Sequence, residues 1–148
     1  MPQSSQNKQS LEWREEYSIG VTELDAQHKT LFALLQKLNA ADSGFASEIA
    51  RSSRLMTQLE ELNEYAVYHL LSEEKIMREH LPPDEDSARH IAAHRSYWQI
   101  MSEFKLRHQQ GDPNVGHELL DYLNRWWLNH ILQTDKKMGA QLNVLGIR

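Results

Sequence analysis

The sequence predicts an all-α fold: an up-down-up-down antiparallel four-helix bundle with an N-terminal arm. Three observations carry that expectation. Apolar residues recur at alternating spacings of three and four along four long stretches, the seam of an amphipathic helix in a bundle. Breaks at Asp42-Ser43-Gly44, Pro82-Pro83 and Gly111-Asp112-Pro113 separate the stretches, and these are residues that stop and restart helices. No stretch alternates with the period of a strand, and there is no glycine-rich phosphate loop, repeat or low-complexity segment.

Residues 1–10 are polar and expected to be disordered. The helical domain is expected over 11–139. It begins with an arm, Leu11 to Gly20, that can pack through Trp13, Tyr17 and Ile19. The first helix should run from about Thr22 to Ala40 on a seam of Leu24, His28, Leu31, Leu35 and Leu38. The second should begin around Phe45 to Ser47 and end near His80, with Leu55, Leu59, Leu62, Ala66, His69, Glu73 and Ile76 inward. Pro82-Pro83 ends it. The third should run from about Asp86 to Gln109 on His90, His94, Tyr97, Met101 and Phe104. The fourth should run from about Val115 to Met138, before Gly139, on Leu120, Leu123, Trp127 and His130. Residues 140–148 read as a short tail whose Leu142, Val144 and Leu145 are free to dock.

Composition bounds the function. The 148 residues suffice for one domain with a core. Sixteen Lys and Arg against 21 Asp and Glu give a formal charge of −5, which argues against nucleic acid as a partner. The absence of cysteine removes disulfides, thiolate nucleophiles and sulfur ligands. No apolar run approaches the roughly 20 residues of a membrane span, so no membrane insertion is expected. The polar N-terminus lacks the apolar core of a secretory signal. The expectation is a cytoplasmic monomer.

The unusual feature is histidine on the apolar seams. Of eight histidines, His28, His69, His90, His94 and His130 fall on seam positions. His69 and Glu73, like His90 and His94, are four residues apart, one above the other on a helix face. In an up-down bundle, the start of the first helix, the end of the second, the start of the third and the end of the fourth meet at one end. At 1.5 Å per residue the five histidines, Glu73 and Asp135 then lie roughly 6 to 16 Å in from that end. One histidine on a seam is ordinarily a hydrogen-bonded core residue. A whole set is costly to bury without pairing or a metal. Asp135 fits least well, because five residues after His130 is about 140° round an α-helix. It reaches the others only through a distorted helix end or a wide site. Glu74 and Asp25 read as surface or supporting carboxylates, and His80, His108 and His117 as solvated. Five imidazoles and two carboxylates exceed the needs of one ion, whereas two ions sharing two carboxylates would use all seven. Without sulfur, nitrogen and carboxylate donors suit iron, with zinc and manganese also compatible.

The set His28, His69-x-x-x-Glu73, His90-x-x-x-His94 and His130-x-x-x-x-Asp135 resembles the ligand signature of the hemerythrins at all seven positions. The likeness spans about Trp13 to Met138, and YSIGVTELDAQHKTLF, HLLSEEKIM and HRSYW resemble single-domain bacteriohemerythrins. Myohemerythrin, a relative in that family, is itself an up-down-up-down bundle, so the fold expectation and the resemblance are not independent. The resemblance implies two iron ions in a non-haem di-iron centre with an oxo or hydroxo bridge. His90, His94 and His130 would serve the saturated iron, His28 and His69 the iron with an open position, and Glu73 and Asp135 would bridge them. The family's pocket positions fall on Leu31, Leu70, Trp126, Trp127 and Ile131. The chain departs from the family pattern at Leu70, where phenylalanine is common, at Leu81-Pro82, where Tyr-Pro is common, and at Trp127, where an aliphatic residue is frequent.

The function so implied is reversible dioxygen binding for carriage, storage or delivery to an oxygen-consuming enzyme, without catalysis. The alternatives are an oxygen or redox sensor acting through a signalling partner, a di-iron peroxidase or nitric oxide detoxifier, and iron handling. A dry pocket favours carriage; a wet, polar one favours enzymatic turnover.

Overall fold

A computed structural model describes residues 11–42 and 47–148. The expected disorder of residues 1–10, the Ser43-Gly44 turn and a helix start at Phe45 lie outside the described residues. After a short 3-10 turn, Glu15–Tyr17, come α1 (Thr22–Ala40), α2 (Glu48–His80), α3 (Glu85–Gln109) and α4 (Val115–Asn129). A π-helical turn, His130–Asp135, joins α4 to α5 (Lys136–Val144) as one continuous rod. The fold is all-helical, with four helical rods and no strand among the described residues. None of those helices is long and apolar enough to cross a membrane.

Local chemistry sets the helix ends. Ser47 accepts a hydrogen bond from the Ala50 amide and caps α2, and Asp84 accepts one from Ser87 and caps α3, each satisfying an amide that the first turn leaves free. Gly111, at φ +79°, turns the chain out of α3 in a conformation that other residues resist. α1 and α3 each pack against both α2 and α4.

The seams are buried largely as their spacing requires. Leu24, Leu31, Leu35 and Leu38 of α1 face Leu55, Leu59, Leu62 and Ala66 of α2, with Tyr97, Met101 and Phe104 of α3 and Leu119, Leu120, Leu123 and Trp127 of α4 in the same core. Two details differ from expectation. Late in α2 the buried residue is Met77, while Ile76 is only partly buried. A straight helix of 3.6 residues per turn drifts from a strict heptad, and over 33 residues the inward position slips by one. The last rod also continues through Gly139 to Val144 instead of stopping at Met138. Gly139 is there for contact: a Cβ would lie 2.0 Å from the Ile19 carbonyl oxygen. Leu142 is consequently buried, while Val144 and Leu145 remain exposed.

The segment before α1 closes over this rod. Leu11, Tyr17, Ile19 and Val21 are buried. Tyr17 stacks on Phe32, and Asn143 donates its side-chain amide to the Gly20 carbonyl. Asp25 accepts from the Ser18 hydroxyl and the Ile19 amide, so this carboxylate anchors the segment.

Candidate metal centre

Seven titratable side chains meet where α1, α2, α3 and the π turn adjoin. His28 comes from the second turn of α1, His69 and Glu73 from α2, His90 and His94 from α3, and His130 and Asp135 from the two ends of the π turn. None is more than 4% exposed. The π turn resolves the spacing of Asp135. Its i→i+5 hydrogen bonding widens the helix by one residue per turn, which brings Asp135 round onto the His130 face. Oδ1 of Asp135 then lies 3.1 Å from Nε2 of His130.

The donors sort into two groups that share the carboxylates. Oε1 of Glu73 lies 3.2 Å from Nε2 of His90 and of His94 and 3.6 Å from Nε2 of His130. Oε2 of the same carboxylate lies 3.2 Å from Nε2 of His69 and 3.5 Å from Nε2 of His28. Asp135 divides likewise: Oδ1 is 3.2 Å from His90 and Oδ2 is 3.0 Å from His28. Each carboxylate gives one oxygen to a three-histidine group and the other to a two-histidine group.

Hydrogen bonding among these residues is incomplete. Both ring nitrogens of His28, Nε2 of His69, Oε2 of Glu73 and both Asp135 oxygens are buried without a hydrogen-bond partner. Orphaned buried polar atoms are expensive. Nε2 of His94 and Nε2 of His130 stand 3.1 Å apart, two atoms that are both lone-pair donors in metal-ligating imidazole. Ligands about 2.1 Å from a shared ion at right angles stand about 3.0 Å apart, the size of the contacts seen. The donor set therefore suits a metal centre in two adjoining halves.

Without metal, protons must supply the compensating charge. Burial alone would lower the pKa of His28, but Asp135 and then Glu73 outweigh it and push it up to about 9. The same contest raises His90 to about 9. At His130 the attraction of Asp135 overcomes burial and lifts it to about 10. The carboxylates respond in the opposite sense: burial would raise Glu73, but His69, His130 and His28 hold it well below the ordinary range. Burial and the neighbouring Glu73 charge would raise Asp135, yet His130 and His28 keep it low.

Outer partners fix two of the rings. Nδ1 of His69 donates to Oε1 of Gln27 at 2.7 Å, leaving Nε2 to face the site as a lone pair. Nδ1 of His94 donates to Oε2 of Glu74 at 2.8 Å, a pairing that also makes the ring a stronger donor. Glu74 thus has the supporting role that one of its two sequence readings gave it. Sequence reasoning passed over Gln27. A signal was present: Gln27 lies three residues after Leu24 and four before Leu31, so it fits the seam as well as His28 does.

Of the residues expected around the site, Leu31, Leu70, Trp127 and Ile131 are buried. Trp127 lies against His69, with ring centroids 6.0 Å apart. Trp126 is only partly buried and stacks on His130, at 4.4 Å and 10°. Among the residues expected to be solvated, His80 and His117 are exposed and His108 is half-buried.

Comparison with known proteins points to one family. The family model for the Hemerythrin HHE cation binding domain matches residues 19–142. A bacteriohemerythrin of Pseudomonas aeruginosa is 30% identical over 84% of this chain and 76% of its own. One from Methylococcus capsulatus is 31% identical over 86% of this chain and 92% of its own. A hemerythrin-like protein of Naegleria gruberi is 30% identical, covering 88% of this chain and 92% of its own.

Proposed function

This chain belongs to the hemerythrin family, and on that premise we propose that it binds dioxygen reversibly at a non-haem di-iron centre. His90, His94 and His130 would hold one iron, His28 and His69 the other, and Glu73 and Asp135 both. The irons would supply the electrons and the open coordination position that oxygen binding requires. The up-down-up-down course of the helices belongs to the same reading, since it explains why starts and ends of alternate helices supply the donors.

The observation that carries the proposal is the division of both carboxylates. Oε1 and Oε2 of Glu73, and Oδ1 and Oδ2 of Asp135, face different histidine groups. A single ion has no use for that arrangement, while a pair of ions sharing two bridges needs it.

The chain's own residues do the rest. Gln27 and Glu74 hold His69 and His94 with Nε2 inward. Two imidazoles on one side against three on the other leave the His28–His69 side a donor short. Leu31, Leu70, Trp127 and Ile131 are buried and Trp127 lies against His69; in this reading the four would give that side an apolar surround, which disfavours water. Exclusion of bulk water would favour release of the gas unchanged over its reduction, the behaviour of a carrier or store.

The test is anaerobic loading with ferrous iron, elemental analysis, and repeated cycles of oxygen and argon followed optically. Two irons per chain and a band that appears and disappears over many cycles are expected. One ion per chain, or a band that forms once and does not reverse, would overturn the proposal.

A further inference from the structure

Oxygen carriage leaves Trp126, which lies against the three-histidine group, without a role. Trp126 lies parallel on the His130 ring and touches Trp127 and Tyr97, at centroid distances of 4.9 and 4.5 Å. Trp127 donates its indole N–H to the Tyr97 hydroxyl at 3.4 Å and reaches His69. Tyr97 touches Trp98 at 5.0 Å. Rings in contact thus lead from both histidine groups to two partly buried indoles, Trp126 and Trp98.

Core packing accounts for Trp127 and Tyr97, which are fully buried. It does not account for Trp126, which covers a site histidine with one face while its other side lines a groove of about 580 Å³ with Phe104, Tyr122 and Arg125. Indole is among the most easily oxidised side chains. Tyr97 is a poorer terminus for an oxidising equivalent, because its hydroxyl donates to the amide oxygen of Asn63, which cannot take the phenol proton. Of these rings, Trp126 is the readily oxidised one that both stacks on a site histidine and lines the groove, which His130 also lines. A groove edged by Phe104 and Tyr122 suits a small planar aromatic molecule.

We propose that Trp126 is a one-electron oxidation site, at which a small phenol or hydroquinone seated in the Phe104–Tyr122 groove is oxidised at the expense of hydrogen peroxide consumed at the metal centre. This rests on the di-iron reading above. The overall step balances: peroxide takes up two electrons and two protons, its O–O bond breaks and two waters form. Two phenols each lose one electron and the hydroxyl proton and leave as phenoxyl radicals. Each electron passes through the Trp126 indole, which is oxidised and then re-reduced by the phenol, and onward across the stacked His130 ring. The phenol therefore need not enter the apolar surround of His28 and His69.

The experiment uses the iron-loaded full chain with guaiacol as the phenol. The parent should oxidise guaiacol with peroxide. Trp126→Phe, at equal iron content and helicity, should do so at least about tenfold more slowly, and Trp126→Tyr should recover part of the loss. Tyr122→Ala should raise KM for guaiacol with little change in kcat. A second readout does not depend on turnover: peroxide without guaiacol should leave an oxidised indole at residue 126, found by peptide mass spectrometry and suppressed when guaiacol is present. Iron at two per chain with guaiacol oxidation unchanged in Trp126→Phe, or with oxidation mapped elsewhere, would overturn this inference alone. A chain that binds no iron pair would overturn it together with the proposed function.

Discussion

The end of α1, the first half of α2, the end of α3 and the start of α4 form one half of the core, made of Leu35, Leu38, Leu55, Leu59, Leu62, Phe104, Val115, Leu119 and Leu120. Its polar features are paired or small: Asn39 and Asn124 exchange side-chain hydrogen bonds at 2.9 and 3.0 Å, Arg51 pairs with Asp42 at 2.7 Å, and Ser52 is buried beside them in α2. The other half carries five histidines and two carboxylates on the same helical faces, as deeply buried. The first half gains stability from apolar burial, about 1.5–3 kcal/mol for each large side chain. The second also buries Leu24, Leu31, Leu70, Trp127 and Ile131, but it leaves six atoms of His28, His69, Glu73 and Asp135 unpartnered. Bound metal should therefore add stability in the polar half and little in the apolar half. Perturbations of the two halves should separate on that basis.

The largest expected effect is that of pH on the polar half. His28, His90 and His130 are raised to about 9, 9 and 10, so at neutral pH the metal-free chain holds protons that bound ions must displace. Metal affinity should therefore rise with pH, about tenfold per pH unit for each proton displaced, until the pH passes the raised values. The metal-free fold should move the other way. A raised histidine stabilises fully below its unfolded pKa of about 6.5, and that contribution is lost as pH rises through 9 to 10. Anaerobic metal titration at pH 8 with an indicator dye measures the displaced protons. Binding without proton release would show that the carboxylates do not hold these rings charged.

Next in size is truncation in the apolar half. Leu62 is fully buried, and Leu62→Ala should cost about 2–5 kcal/mol through lost contacts and a cavity. The cost should be equal in metal-free and metal-loaded protein, read from denaturant unfolding of each. A clearly smaller cost in the loaded form would mean that the metal also braces the distant half, and the division drawn above would fail.

How far each half was legible in the sequence follows from the same physics. Apolar seams announce themselves by spacing, and the helices from Thr22 to Gln109 needed little more. Six of the seven clustered side chains were also placed by three- and four-residue spacing. Asp135 was not, because its position depends on a π turn, and no simple period marks where a helix takes an extra residue. Met77 replaced Ile76 inside because drift accumulates along a long helix. Gly139 looked like a stop and is instead a contact with the Ile19 carbonyl, something only the tertiary arrangement reveals. Gln27 was hidden by its neighbour: beside a histidine on the seam, a glutamine reads as surface until the ring it holds is known.

Gln27 supplies the third perturbation. Gln27→Leu keeps the bulk and removes the acceptor for His69 Nδ1. Losing such an outer partner typically costs 10- to 100-fold in metal affinity, about 1.4–2.8 kcal/mol. The loss should fall on the ion of the two-histidine group. Metal content after dialysis should then drop toward one ion per chain, while the three-histidine group stays filled. Equal loss of both ions would show that the carboxylate bridges, and not the individual imidazoles, control retention.

The smallest perturbation compares like with like. Ser47 and Asp84 each cap a helix by accepting from an amide three residues on, at 3.1 and 3.0 Å, and both are exposed. Removing either cap should cost about 1 kcal/mol in the metal-free protein. Ser47→Ala frays the start of α2, whose nearest buried residues are Ser52 and Leu55, so its cost should be the same with metal bound. Asp84→Ala frays the start of α3, and His90 follows only six residues later, with its ring 3.2 Å from both carboxylates. Ordering that first turn is a condition for placing His90, so part of the capping energy appears as metal affinity. The difference between loaded and metal-free melting temperatures should narrow for Asp84→Ala and stay at the parent value for Ser47→Ala. Identical shifts in the two variants would mean that α3 holds His90 from the packed turns after it, through His94 and Tyr97, and that the polar half is stiffer without metal than its unpartnered atoms imply.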